Sequence, residues 1–155
     1  RLMTIHPSIV FGPIHHPRHL KGSMAYLKHF TTKLPFVLNT YLNFVDVRDV
    51  ADAHIAAIEQ GGDGGRMLLH TRGMWMKEIG HELRSLKPDG SWPVRTLPTW
   101  LTLVLAVFHP KLGVKTVRSS LGRYLDYDVG SSFTDLGLTP TSTDATFVDA
   151  LESIA

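Results

Sequence analysis

Apolar residues run along the chain in short blocks separated by Gly, Pro and charge, and their period changes from block to block. Residues 2–11 (LMTIHPSIVF) are rich in Ile, Val and Phe and stop at Gly12-Pro13, which predicts a strand buried on both faces. Pro7 interrupts this strand. Lacking an N–H, it marks a bulge, an edge or the strand's exit from the sheet. Over 20–32, Leu20, Met24, Leu27 and, less regularly, Phe30 and Thr31 make a helical stripe. Residues 43–47 predict a short strand, followed by a helix VADAHIAAIEQ with Asp49 as its N-cap and Gly61-Gly62 as its stop. Val50, Ala53, His54, Ala57 and Ile58 fall at i, i+3, i+4, i+7 and i+8, and the alanines would let this helix lie close on a sheet.

Arg66 to His70 (RMLLH) reads as a further strand. Over Met76 to Leu86, Ile79, Leu83 and Leu86 alternate with Lys77, Glu78, Glu82 and Arg84, an amphipathic helix ended by Pro88-Asp89-Gly90. Residues 92–97 predict a short strand, and Pro98 suits the first turn of an apolar helix through Phe108. That apolar run, LPTWLTLVLAVF, is twelve residues long, short of the roughly 20 that span a bilayer, and predicts a buried helix. Residues 109–120 carry no clear pattern. Residues 130–138 suggest a short helix stopped at Gly137, and Thr143 or Asp144 is expected to cap a last helix through Ile154. Strands separated by helices argue for an α/β fold with parallel pairing, built on three or four short strands.

With 155 residues, 43% hydrophobic and 19% charged, the composition excludes a disordered or fibrous protein and predicts one globular unit. A net charge of +2 with nine His does not by itself imply nucleic acid. The charge is unevenly placed. The first 45 residues hold no Asp or Glu, only Arg1, Arg18, Lys21, Lys28 and Lys33, so the N-terminal third is where a phosphate would sit best. Absence of cysteine removes thiolate clusters and cysteine nucleophiles and agrees with a reducing compartment, so a cytoplasmic location is expected. The chain opens on RLMTIHPSIVF, without an initiator Met or a charged leader, and reads as cut from a longer polypeptide.

Several catalytic and ligand motifs fail on residues. No Gly-x-Gly-x-x-Gly turn and no Gly-x-x-x-x-Gly-Lys loop occurs, and His81-Glu82 is followed by Ser85 where a zinc-peptidase helix needs a second His. No Gly-x-Ser-x-Gly elbow exists. His15 and His19, with His16 and His6, are the best metal candidate, but Pro17 opposes the helix they would need and no carboxylate lies nearby; a polar loop is the expectation. His54 is read as a hydrogen-bonded core histidine, and Trp75, Trp92 and Trp100 as packing groups. Asp46-Val47-Arg48-Asp49 puts three charges at a strand-to-helix junction, where capping and ion pairing account for all of them.

The order HPSIVFGP, FVDVRDVADAHIAAIE, GRMLLH and DLGLTPTSTDATFVDALESI resembles the C-terminal half of an extended short-chain dehydrogenase/reductase, in the NAD-dependent epimerase/dehydratase superfamily. Within it, PVRTLPTWLTLVLAVFHP is most similar to dihydroflavonol-reductase-like and aldehyde-reductase-like members. The resemblance implies a single incomplete unit: the last strands and helices of an NAD(P)-binding Rossmann-like fold, over 1–13 and 43–88, plus a small substrate lobe over 14–42 and 89–155. It implies that Pro7, Ser8 and Ile9 leave the sheet beside the nicotinamide, and that Ser23 reaches the cofactor phosphates. Residues 10–17, 34–41 and 92–108 would wall the substrate cleft.

The family's glycine-rich turn and catalytic Ser/Thr, Tyr and Lys have no counterpart here. Tyr26, Tyr41, Tyr124 and Tyr127 are followed four residues later by Phe30, Val45, Asp128 and Ser131, so no catalytic residue is assigned. The implied activity is hydride transfer between NADP, ahead of NAD, and a small carbonyl or alcohol. The chain alone is expected to be inactive. A nucleotide-sugar epimerase or dehydratase, a hydroxysteroid-type dehydrogenase and a non-catalytic ligand-binding relative stay open. Neither nucleic acid nor membrane is an expected partner, and the full-length parent would form a homodimer.

Overall fold

Pro7 does divide the first apolar block. In the computed structural model, which describes residues 2–32, 34–60, 62–108, 118–128, 130 and 132–154, the block becomes two strands in different sheets, β1 (Thr4–Pro7) and β2 (Ile9–Phe11). The other described strands are β3 (Phe36–Val37), β4 (Tyr41–Asp46), β5 (Arg66–Leu69), β6 (Arg72–Trp75) and β7 (Arg95–Thr96). The described helices are α1 (Met24–Thr31), α2 (Val47–Gln60), α3 (Met76–Leu86), α4 (Thr99–Phe108), α5 (Ser132–Asp135) and α6 (Thr143–Ile154), and a 3-10 turn covers Pro17–Lys21. β1 pairs with β5, β3 pairs with β7, and β2, β4 and β6 lie in that order. The pairs β1·β5, β2·β4 and β3·β7 are all parallel, as the alternation of strands and helices required. The mixed α/β class therefore holds.

Contacts divide the chain into two units, residues 1–28, 43–72 and 126–155 in the first and 29–42 and 73–125 in the second. In the first, Val45, Ala53, Ala56, Ala57, Leu69, Phe133 and Leu136 form one buried cluster joining β4, β5, α2 and the α5 region. β1 is less covered than its sequence predicts. Thr4 and Ile5 are half-buried, and His6 and Pro7 are exposed. The buried face of α2 is Asp49, Ala53, Ala56 and Ala57, which repeats i, i+4, i+7, i+8 as well as the expected stripe does. The sheet takes the face with the smaller side chains, so His54 is exposed and Ile58 is 73% exposed.

The caps shift by a few residues. α2 begins at Val47, and the carboxylate of Asp46 accepts the Arg48 N–H at 2.8 Å, so Asp46 serves the helix start and Asp49 lies inside the first turn. On α6 the hydroxyl of Ser142, one residue before the expected cap, accepts the Ala145 N–H at 3.3 Å. The stop at Gly137 is as expected. Its φ of +64° suits a residue without Cβ, and the Leu138 N–H returns to the Phe133 carbonyl at 2.9 Å.

In the second unit α3 has the boundaries its pattern predicts, with Met76, Ile79, Gly80 and Leu83 buried. The strand expected over 92–97 shrinks to β7, and β3 and β6 were not foreseen. Trp92 donates its Nε1–H to the Lys87 carbonyl at 2.6 Å, and Trp75 packs on Tyr41 with ring centroids 5.3 Å apart. The buried-helix expectation for α4 is overturned. Thr102 and Ala106 are buried, but Trp100 is 68% and Val107 66% exposed. Uniform apolarity says that a helix has an inner face without saying which face it is. Residues 109–117, within the patternless stretch, lie outside the described residues.

Gly80 gives this unit a direct test. A Cβ there would overlap the Pro93 carbonyl oxygen, a backbone atom that cannot turn aside. Glycine to alanine inside a helix normally stabilises by about 1 kcal/mol, whereas overpacking costs about 1–3 kcal/mol. Gly80→Ala is therefore expected to lower the urea midpoint, and a raised midpoint would contradict the close approach of α3 to Pro93.

Candidate functional site

The chain changes sheets at the carboxyl end of β1. Pro7 faces Leu69 in register, the Ser8 N–H donates once more to the Leu69 carbonyl at 2.9 Å, and the next residues pair with β4 as Ile9 to Phe44, Val10 to Val45 and Phe11 to Asp46. Open α/β sheets bind ligands beyond the carboxyl ends of their parallel strands. β5 ends at Leu69, followed by His70 and Thr71, and the Thr71 N–H donates to the Phe44 carbonyl at 2.9 Å.

This end of the first unit is unusually short of hydrogen bonds. The Ser8 Oγ, the His70 Nδ1 and the Thr71 Oγ1 are buried without a partner, and a buried polar atom left unpaired costs about 1–3 kcal/mol. His70 is 7% exposed, with its ring edge-on to Tyr127 at 5.6 Å. Burial pushes its pKa below the usual histidine value, against the charge of Asp126 and a hydrogen bond to the Phe44 backbone. His70 and Thr71 escaped the sequence reading, although a histidine ending a predicted strand was the available signal.

Of the expected site residues, Pro7 is exposed at the end of β1, and Ser8 and Ile9 are half-buried across the break. Ser23 is half-buried and donates its hydroxyl to the Val10 carbonyl at 2.5 Å. Around that bond lies a cleft of 260 Å³ lined in part by Val10, Gly12, Pro13, Gly22, Ser23 and Val47. Gly12 has φ +135°, and a Cβ on it would come within 2.7 Å of the Val47 Cγ1. A residue with a side chain would close this wall. Nearby, the His16 Nδ1 accepts the Arg18 N–H at 3.1 Å, tying the histidine-rich stretch into a turn. Among the described residues no three His, Asp or Glu side chains are grouped to hold a metal.

His54 does form a hydrogen bond, from its Nδ1 to the Val50 carbonyl at 2.7 Å, but on the surface of α2. It borders a 360 Å³ groove with Met3, Ile5, Ala57 and Ile58. The Asp46 to Asp49 junction is structural, as read. Asp46, 1% exposed, accepts from the Arg48 side chain at 2.9 and 2.8 Å and from the Thr146 hydroxyl at 2.7 Å. Arg48 also reaches Asp149 at 2.6 Å, and Asp49 accepts the Thr141 N–H at 3.0 Å and its hydroxyl at 2.6 Å.

No family model matches the chain. A dihydroflavonol 4-reductase-like protein of Synechocystis sp. is 26% identical over 97% of this chain and 47% of its own length. A cinnamoyl-CoA reductase of Medicago truncatula is 34% identical over 59% of this chain and 28% of its own. Gre2 from Candida albicans, solved in complex with NADPH, superposes with a TM-score of 0.68 at 26% identity, over 99% of this chain and 43% of that one. The chain resembles the extended short-chain dehydrogenase/reductases. The resemblance read from its motifs stands, and so does the Rossmann-like α/β class. The chain spans about half the length of the curated relative it matches end to end. Among its described residues, no helix is long and apolar enough to cross a membrane.

Proposed function

We propose that the chain is part of an NADP(H)-dependent reductase that transfers hydride to a small aldehyde or ketone, or takes it from the alcohol. The observation that carries this reading is the strand break at Pro7–Ile9, at the carboxyl end of a parallel strand in a chain whose relatives are reductases. The residues present suit such a cofactor: Ser8 has an unpaired buried hydroxyl, and Gly12 keeps the neighbouring wall open. Bound NADPH would supply the hydride. Pro7, Ser8 and Ile9 would orient and shield the nicotinamide face, and the amides around Ser23 at the start of α1 would meet phosphate oxygens. Since the Ser23 hydroxyl already serves Val10, its backbone is the better donor.

In this reading residues 1–13 and 43–88 belong mainly to the cofactor sheet, and 14–42 and 89–155 mainly to the substrate lobe. The apolar exposed face of α4 favours an uncharged organic carbonyl over a nucleotide diphosphate, which would call for arginines. The full-length protein would work in the cytoplasm as a homodimer.

Two measurements test the proposal. Adding NADPH to the isotopically labelled chain is expected to shift the backbone amides of Ser8, Ile9 and Val10, and no change at these positions would overturn the cofactor face. With NADPH and aromatic aldehydes, the chain alone is expected to show no turnover, because none of its tyrosines has a lysine four residues on. Turnover above background would show that other residues carry the proton transfer.

A further inference from the structure

We propose that Arg84 and Arg95 form a binding site for the carboxylate of a small apolar acid. Both side chains line one 220 Å³ cavity in the second unit, together with Trp92, Val94, Leu34 and Pro35. That volume is below the roughly 300–1,000 Å³ of a drug-sized site and leaves room for a fragment-sized guest. The loop that follows α3 is clamped to that helix at three points. The Trp92 Nε1–H donates to the Lys87 carbonyl at 2.6 Å, the Arg84 Nη2 donates to the Trp92 carbonyl at 3.4 Å, and the Pro93 carbonyl sits where a Cβ on Gly80 would be. The Arg84 bond keeps its guanidinium against the loop, and parallel pairing with Phe36 fixes the backbone of Arg95 at the start of β7.

The chemistry of the cavity is one-signed. No described Asp or Glu lines it, and the chain has none between Asp89 and Asp126. Among the described residues neither guanidinium has an ion-pair partner. Two cations lining a recess with partly apolar walls focus a positive field and concentrate anions. Each guanidinium presents a planar fork that matches a carboxylate, and the Ser91 hydroxyl on the same wall adds a donor. Leu34, Pro35 and Val94 decide the rest of the guest. They give apolar contact to a hydrocarbon body, whereas the outer oxygens of a phosphate would lose water there without a replacement. No described α4 residue lines the cavity, so this site is separate from the apolar face assigned to the carbonyl substrate, and it does not rest on the nucleotide reading.

The test is ¹H–¹⁵N NMR of the tryptophan indoles in the whole chain, with Trp92 assigned by loss in Trp92→Phe. Benzoate, benzamide and inorganic phosphate are the probes, at constant ionic strength. Benzoate is expected to move the Trp92 signal saturably. Benzamide, which has the shape without the charge, and phosphate, which has the charge without the apolar body, are expected to leave it in place. Arg84→Gln and Arg95→Gln should each weaken the benzoate response about tenfold, the loss of a charge-assisted hydrogen bond. Both arginines are exposed, so the Trp75 and Trp100 signals should stay where they are. Arg95→Lys should recover only part of the loss, because it restores the charge without the fork. No saturable benzoate shift, an equal shift with benzamide, an equal or larger one with phosphate, or a benzoate response unchanged in both glutamine variants would each overturn the site.

Discussion

Replacing Phe147 by alanine is expected to cost about 4 kcal/mol of stability, within the range of buried Phe→Ala substitutions. Phe147 on α6 is fully buried against Phe44 of β4, with ring centroids 5.3 Å apart, and against Phe11 of β2 at 6.5 Å. Phe11 and Phe44 are themselves 5.3 Å apart. The three rings thus come from three elements and meet in tilted pairs, so deleting one removes contacts on two sides and leaves a cavity that a β-sheet cannot easily collapse. Phe147→Leu keeps most of the volume and is expected to lose about 1.5 kcal/mol. Urea unfolding of both variants checks the ordering. An alanine variant within 1 kcal/mol of the parent would mean that α6 is not docked through this ring. The loss also bears on the site, because β2 starts at Ile9, beside Ser8, and is held on the side of Phe11 by the same trio.

How much of this was legible in the chain depends on how local the causes are. α3 was readable to its ends because apolar residues repeat at helical spacing between charges, and a proline and glycine follow. The Pro7 break was readable because a missing N–H acts at one residue. β3 was not, since two residues cannot display a period and it exists only through its partner β7 some sixty positions away. The α2 face was ambiguous in principle: 50, 53, 54, 57, 58 and 49, 53, 56, 57 are both helical stripes, and packing against the sheet chose the second. The candidate site divides in the same way. Ser8 entered through a resemblance of motifs, while His70 becomes informative only once the fold buries it with its Nδ1 unpaired. Arg48 was expected to pair with a carboxylate, but Asp149, 101 residues away, is a partner that only the fold selects.

Arg48→Met should produce the second large effect, a loss of about 3 kcal/mol near neutral pH, reduced from the upper range for broken buried pairs because the arginine side chain is 41% exposed. The cause is what it leaves behind. Asp46 is 1% exposed, and burial by itself would raise its pKa; the Arg48 side chain, the Arg48 N–H, the Thr146 hydroxyl and the Arg48 charge together bring it below the ordinary carboxylate value. In the parent, then, the Asp46 contribution is fully present above the unfolded pKa of a carboxylate and is lost as pH falls through the lower folded value. Without Arg48 the burial effect dominates and the folded pKa rises above the unfolded one, so the variant is penalised at neutral pH and recovers on acidification as Asp46 takes up a proton. The stability gap between parent and variant should therefore be widest above the ordinary carboxylate range and narrow as the pH drops through it. Asp149→Ala, which removes the half-exposed partner of the same guanidinium, should cost only about 0.5 kcal/mol. Urea titrations of the three proteins from neutral to acid pH measure both quantities. A gap that does not change with pH would mean that the lost packing of the arginine stem, and not the stranded carboxylate, carries the effect.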